Sequence, residues 1–427
     1  MDKIIIKPNL LKGNIVVPPS KSLEHRGIIA AALSAGMSRV DNIQLSKDIE
    51  ATMDIMKELG AVINTEGHSL YIDGSNLFSY EKKLDLKCNE SGSTLRFLIP
   101  LALIKSGDYI FRGEGKLISR PLDPYYEIFK EKGIEYSTED DSLPLKVSGK
   151  LTSGTYRVRG DISSQFITGL LFSLPLLKGN SKIEITTKLE SKGYIDLTLE
   201  VLKDFGIEIE NNNYKEFNIR GAQKYYSRNY YIEGDYSQGA FFLVAGALGS
   251  SIVCSGLNKN SLQGDKAILD ILEAMGCSIE ESEEGIKVKP SKTKGLEIDA
   301  SNCPDLVPIL TVLASLSEGE TRIINAKRLR IKECDRLHAI TTELNKLGAN
   351  IIELEDSLII SGVSELKGGE VNSHNDHRIV MALAIAATRA TGDVIISNPS
   401  AIEKSYPNFF KDYFKLGGEC DEFNYRK

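Results

Sequence analysis

Apolar residues recur at helical spacing in six stretches of this chain, and each stretch runs into a glycine followed by a short alternating segment. The phrases are IMKELGAVI at 55–63, IFKEKGIEY at 128–136, VLKDFGIEI at 201–209, ILEAMGCSI at 271–279, ELNKLGANI at 343–351 and, more weakly, YFKLGGEC at 413–420. In each, residues three and four apart form one apolar helical stripe. The glycine that follows can take the left-handed conformation that ends a helix. Alternation beyond it, as in AVINTEGHSLYIDG and IEIENNNYKEFNIRG, predicts a hairpin of half-buried strands. The six glycines, Gly60, Gly133, Gly206, Gly276, Gly348 and Gly417, stand 69 to 73 residues apart. That spacing is too long for a solenoid repeat and implies a duplicated α+β unit. Further apolar helices are predicted between the copies, among them GAFFLVAGAL and DLVPILTVLASL.

A chain of 427 residues exceeds what one hydrophobic core usually supports, so the six units divide into two domains of three, the second half starting near Gly234. The net charge of −7 argues against nucleic acid or an anionic membrane as a partner, so any basic site must be local. Cys88, Cys254, Cys277, Cys303, Cys334 and Cys420 are scattered, with no C-x-x-C pair and no metal-type spacing against the histidines. This predicts reduced thiols, a cytoplasmic location and no bound metal. The N-terminal MDKIIIKPNLLKGNIVV reads as strand rather than leader. The apolar run Ile379 to Ala387 is far shorter than the ~20 residues that cross a bilayer.

Against the acidic background, cations gather at expected helix starts. In PPSKSLEHRGIIAAAL, two prolines bar a helix before Ser22, so Lys21 stands just ahead of it and Ser22 and Arg26 share a face of its first turns. Backbone N–H groups and the positive dipole end add to them, which makes a phosphate or carboxylate site or, alternatively, a solvated basic turn. NESGSTLRFLIPLAL has the same layout, with Gly92 allowing close approach to the backbone and Arg96 one turn on. GDISSQFITGL offers Ser163, Ser164 and Gln165, and SKGYIDLTL offers Ser191, Lys192 and Tyr194, as caps or as contacts to a phosphate or polyol.

RLRIKECDRLHAITTEL is denser in charge. If its helix begins near residue 332, Lys332 and Arg336 share a face beside Glu333, either as a site or as an exposed salt-bridge ladder. A carboxylate held between cations stays ionised, yet can pass a proton when a more negative substrate arrives. In SHNDHRIVMALAIAA, Arg378 beside the positive end of a helix dipole calls for an intervening anion. Arg120 and Lys404 stand near two more expected helix starts, whereas Asp305 is an acidic residue at such a place with no neighbouring cation. Together these cations suggest a site for polyanionic small molecules in a cleft between the two domains.

SKSLEHR, ESGSTLRFL, GDISSQF, SKGYIDLTL, IKECDRL, NDHRIVMALAI and EKSYPNFF occur in the order found in the 5-enolpyruvylshikimate-3-phosphate synthase family, which the chain resembles over essentially its whole length. The resemblance implies two inside-out α/β barrel-like domains, each of three βαβαββ units, joined by a two-strand hinge. Residues 18–233 would be inserted into a domain formed by 1–17 and 234–427. It implies a monomer that needs no cofactor and transfers the enolpyruvyl group of phosphoenolpyruvate to shikimate 3-phosphate.

Carried over by motif, Lys21, Ser22, Arg26, Ser163, Ser164, Gln165, Ser191, Tyr194, Asp305 and Lys332 would contact shikimate 3-phosphate. Lys21, Gly92, Arg120, Gln165, Arg336, Arg378 and Lys404 would contact phosphoenolpyruvate. Asp305 would be the base, and Glu333 or Lys21 the acid. Glu90, Phe97 and Arg328 depart from residues common in the family, and Glu90 leaves the local phosphoenolpyruvate contact open. Gly92 implies sensitivity to glyphosate as a phosphoenolpyruvate mimic. The enolpyruvyl transferase acting on UDP-N-acetylglucosamine normally carries a loop cysteine that RGEGKLISR lacks. An RNA 3′-phosphate cyclase, which shares part of the architecture, sits poorly with net charge −7. A catalytically silent scaffold that binds an anionic metabolite is the alternative outside enzymes.

Overall fold

The computed structural model describes residues 3–79 and 83–423. The chain forms two compact units, Met1–Pro18 with Gly234–Lys427, and Pro19–Glu233. Each has its own apolar core. In Pro19–Glu233 the helices are α1 (Lys21–Leu33), α2 (Lys47–Glu58), α3 (Gly92–Ala102), α4 (Asp123–Lys132), α5 (Ser164–Ser173) and α6 (Lys192–Asp204). In the other unit they are α7 (Tyr236–Ala247), α8 (Ala267–Ala274), α9 (Val307–Ser315), α10 (Arg336–Lys346), α11 (His377–Ala387) and α12 (Phe409–Lys415).

One βαβαββ repeat illustrates all six. Strand Lys83–Lys87 leads into α3, Gly107–Arg112 into α4, and Glu135–Glu139 forms a hairpin with Ser142–Gly149. Lys83–Lys87 pairs in parallel with Gly107–Arg112, which pairs antiparallel with Ser142–Gly149, which pairs antiparallel with Glu135–Glu139 at the far edge. Among the described residues this order recurs in six four-stranded sheets. The repeat glycines end the second helix of each copy as expected, with φ of 107° at Gly60, 65° at Gly133, 84° at Gly206, 97° at Gly276, 87° at Gly348 and 86° at Gly417.

Three sheets are completed by distant chain, Lys12–Val16 pairing in parallel with Ser251–Ser255 in the fourth repeat. Asn229–Tyr231 pairs with Met37–Asp41 in the first repeat. In the last repeat, Lys3–Lys7 lies between Val394–Ser397 and Glu419–Phe423, where the second hairpin strand stands in the other copies. Half of the sixth hairpin therefore comes from the other end of the chain.

The two helices of a repeat differ in kind. The second is amphipathic: α2 buries Ile49, Met53, Ile55 and Met56 and exposes Glu50, Asp54 and Lys57. The first is apolar nearly all round, and every residue of α7 and of α11 is buried. A helix with no polar face must lie inside. Its N-terminal turn, where backbone donors lack intrahelical partners, is then the natural place for polar side chains.

Candidate active site

In Pro19–Glu233, the prolines stop any earlier helix and Ser20 is the N-cap of α1, so Lys21 is the first helical residue rather than lying ahead of it. Its Nζ meets Asp48 Oδ2 at 2.9 Å. Arg26 is buried, donating from Nε to Thr198 Oγ1 (2.9 Å), from Nη1 to the Ser22 carbonyl (2.6 Å) and from Nη2 to the Tyr194 carbonyl (3.0 Å). It therefore joins the first turns of α1 and α6. Ser191, just before α6, is buried in the left-handed conformation at φ 56°. Such a conformation costs a non-glycine residue about 1–2 kcal/mol and persists only where the surroundings enforce it.

A second group forms where α3 and α5 begin. Ser163 caps α5, accepting from Gln165 N at 3.3 Å, and places Ser164, buried, in the first turn. The Gln165 amide donates to Ser93 Oγ and accepts from Arg96 Nη1, both at 2.8 Å. A Cβ added at Gly92 would lie 2.7 Å from Arg120 Nη1, 3.4 Å from Arg96 Nη1 and 3.6 Å from Gln165 Oε1. The bare backbone at Gly92 thus adjoins two buried guanidinium groups and an amide. Glu90 Oε2 would lie 2.5 Å from a Cβ on Gly115, the first residue of the 3₁₀ turn Gly115–Ser119 that precedes Arg120.

A buried hydroxyl chain connects α1 to this turn. His25 Nδ1 meets Thr52 Oγ1, Thr52 Oγ1 meets Thr94 Oγ1, and Thr94 Oγ1 donates to Ser91 Oγ, each at 2.7 Å. Ser91 is the N-cap of α3. Burial first, then Lys21 and Arg26, hold the His25 imidazole well below its ordinary range, so it is neutral.

The other unit is organised around Arg336, which is 2% exposed. Its Nε donates to Asp376 Oδ2 at 2.7 Å, Nη1 to Asp305 Oδ1 at 2.8 Å and Nη2 to Glu333 Oε2 at 2.6 Å. Asp305 also meets Arg378 Nη2 at 3.0 Å and Lys332 Nζ at 3.7 Å. Asp376 caps α11 by accepting from Arg378 N at 2.8 Å. Arg378 Nη2 donates to Ser237 Oγ at 3.0 Å, and Ser237 Oγ to the α7 cap Asp235 at 2.6 Å. Lys404, buried, donates to the Asn375 carbonyl at 2.8 Å.

Charge explains the arrangement. Burial opposes ionisation of Asp305, but Arg378, Lys332 and Arg336 outweigh it and hold the carboxyl well below the usual range. Burial likewise opposes the charge on Arg336, but Asp376, Glu333 and Asp305 outweigh it and raise its pKa. Lys332 is pushed down, mainly by burial, although Asp305 pulls the other way. Three carboxylates thus face three cations, and an arriving anion must compete with them for donors.

A family model described as EPSP synthase (3-phosphoshikimate 1-carboxyvinyltransferase) matches residues 5–413. The chain belongs to the EPSP synthase family. It is 57% identical over 419 residues to the 3-phosphoshikimate 1-carboxyvinyltransferase of Clostridium perfringens, covering 98% of this chain and 99% of that protein. It is 56% identical over 436 residues to that of Clostridium novyi, covering both in full. The solved EPSP synthase of Acinetobacter baumannii shares the fold at a TM-score of 0.82 and 24% identity, over 99% of this chain and 100% of that one.

Several sequence expectations change in this member of the EPSP synthase family. Helix α10 starts at Arg336, behind an Asp335 cap, and not near 332, so Lys332 and Arg336 share no helical face. They meet instead through Asp305. Asp305, without a cation beside it in sequence, has three beside it in space. The anion that Arg378 calls for is the chain's own Asp305. Lys404 ends the 3₁₀ turn Pro399–Lys404 and does not start a helix, since α12 begins at Phe409. Asp235 and Ser237 escaped the sequence reading, although α7 holds the same repeat position as α1, α3, α5 and α11, whose first turns were all singled out. Among the described residues, no helix is long and apolar enough to cross a membrane.

Proposed function

We propose that this chain transfers the carboxyvinyl group of phosphoenolpyruvate to the 5-hydroxyl of shikimate 3-phosphate, releasing phosphate. The observation that carries this reading is 57% identity to a 3-phosphoshikimate 1-carboxyvinyltransferase along 98% of the chain. In the first step the 5-hydroxyl oxygen loses its proton and bonds to the enol carbon, while a proton is placed on the methylene carbon. In the second, the carbon–oxygen bond to phosphate breaks, the new methyl group loses a proton and the vinyl ether forms.

In this reading residues 18–233 supply the shikimate 3-phosphate contacts: Lys21, Ser22, Arg26, Ser163, Ser164, Gln165, Ser191 and Tyr194. The unit of 1–17 and 234–427 supplies Asp305 and Lys332 to the ring hydroxyls. Lys21, Gly92, Arg120, Gln165, Arg336, Arg378 and Lys404 hold phosphoenolpyruvate, and glyphosate mimics it there. Asp305 is the base, and Glu333 or Lys21 the acid.

The electrostatics support this assignment. A carboxylate as depressed as Asp305 is a poor base while three cations engage it. When phosphoenolpyruvate draws Arg336 and Arg378 onto its own negative charge, the field on Asp305 falls and its basicity rises at the moment the hydroxyl arrives.

The test is phosphate release on mixing the purified protein with shikimate 3-phosphate and phosphoenolpyruvate, together with mass detection of the enolpyruvyl product. Turnover is expected. Tight binding of both compounds without turnover would instead favour a metabolite-binding scaffold, and no binding at all would defeat both readings.

A further inference from the structure

Glu343 lies on the buried side of α10, 1% exposed, and is not among the reacting groups assigned above. Its carboxylate accepts four hydrogen bonds: Oε1 from His374 Nε2 at 2.8 Å and Lys346 Nζ at 2.9 Å, and Oε2 from Lys346 Nζ at 2.8 Å and the backbone N of Asn372 at 2.9 Å. A buried carboxylate keeps its charge only with such a full set of donors. Two of these donors belong to the turn that leads into α11.

That turn is held in an unusual shape. His374 and Asn375 are consecutive left-handed residues, at φ 51° and 56°. Neither is glycine; two local bonds, from His374 N to Asn372 Oδ1 at 2.7 Å and from Asn375 N to Ser373 Oγ at 3.2 Å, hold the shape from within, and neighbouring elements add contacts from outside. On one side the Ser373 hydroxyl donates to the Asn398 carbonyl at 3.0 Å, and on the other Glu343 grips Asn372 and His374. The consequences fall on groups of the proposed site. The Asn375 carbonyl receives Lys404, and Asp376, next in the chain, caps α11 and binds Arg336.

We propose that Glu343 and His374 act as a pair of positioning residues, clamping the 372–376 turn so that Lys404, Arg378 and Arg336 are aimed at the phosphoenolpyruvate anion. The clamp touches no substrate. It acts through the backbone, and it rests on the reading given under Proposed function.

The test is steady-state phosphate release by Glu343→Ala, Glu343→Gln, His374→Ala and the double alanine variant, with melting temperatures measured alongside. Misaiming anion donors costs up to about a hundredfold, so His374→Ala and Glu343→Ala are expected to raise KM for phosphoenolpyruvate about tenfold. KM for shikimate 3-phosphate should stay within about twofold, because its contacts lie mainly in the other unit. Glu343→Gln should restore most of the affinity, since its amide can still accept from Asn372 and meet the other His374 tautomer. The double variant should be no worse than the worse single one, as expected for two members of one interaction.

His374 has 31% of its side chain exposed, so its alanine variant tests the idea even where Glu343→Ala fails to fold. Equal KM increases for both substrates, or an unchanged phosphoenolpyruvate KM in a well-folded His374→Ala, would overturn the clamp. Absence of phosphate release by the unmodified protein would overturn the functional reading instead.

Discussion

Asp305 shows how far the charge of one side chain depends on neighbours that its own sequence does not name. Its cations come from Lys332, Arg336 and Arg378, between 27 and 73 positions away. The motif NCPDLVPIL therefore looks bare in sequence although three cations surround Asp305 in space. Lys21, Gln165 and Gly92 were legible because each stands at a helix start, where orphan N–H groups give a local reason for a polar residue. Arg26 was legible as a helix-start cation but not as a strut, since its partners Thr198 and Tyr194 lie on α6. The proposed roles make Asp305→Asn informative. The amide keeps the size of the side chain but cannot take the 5-hydroxyl proton, so kcat should fall about 10²–10⁴-fold. With one negative charge removed from Arg336 and Arg378, KM for phosphoenolpyruvate should hold or decrease. A kcat within about threefold of the unmodified protein would exclude Asp305 as the base.

At the scale of elements, the repeats were readable because a glycine in a left-handed cap followed by alternation is a local pattern, and all six glycines do have positive φ. What could not be read was which sheets the distant strands complete, since Lys3–Lys7, Lys12–Val16 and Asn229–Tyr231 find their partners across more than 150 residues. The expected start of α10 lies too early because Glu333 suits a first turn, whereas Asp335 takes the cap by accepting from His338 N. A buried link between elements carries a prediction of its own. His25 joins α1 to α2 through Thr52, and its folded-state pKa is lowered well below 6.5. Below that pH the unfolded chain binds a proton that the folded chain refuses, so stability must decline as pH falls through about 6.5. One such group contributes a slope of at most about 1.4 kcal/mol per pH unit. Urea unfolding of Pro19–Glu233, followed in the full protein between pH 7.5 and 5, should show this decline, and His25→Asn should flatten it. Carboxylates such as Glu343, whose pKa is lowered from 4.5, act in a separate window, their stabilisation being lost only as pH falls below that value. Identical slopes in the two proteins above pH 5 would mean that His25 is not the titrating group.

For the whole molecule, a single requirement follows from the proposed roles: donors held by two separately cored units must serve one pair of substrates. Mass action then dictates where protection arises, because a ligand stabilises the segments it engages by an amount that grows with its concentration over Kd. Shikimate 3-phosphate alone should slow amide exchange at the starts of α1, α5 and α6, around Lys21, Ser163 to Gln165 and Ser191 to Tyr194, with smaller changes near Asp305 and Lys332. Adding glyphosate in place of phosphoenolpyruvate, so that no turnover occurs, should extend protection to the Gly92 and Arg120 segments of one unit and to the 372–378 turn and the Lys404 segment of the other. Hydrogen exchange with mass detection resolves these peptides separately. The glyphosate-dependent protection should also shrink at 372–378 in His374→Ala, which ties the clamp to the anion site by an observable independent of rate. Protection confined to Pro19–Glu233 with both compounds saturating would show that the cations around Arg336 and Arg378 serve only their own carboxylates, and the shared-site mechanism would have to be abandoned.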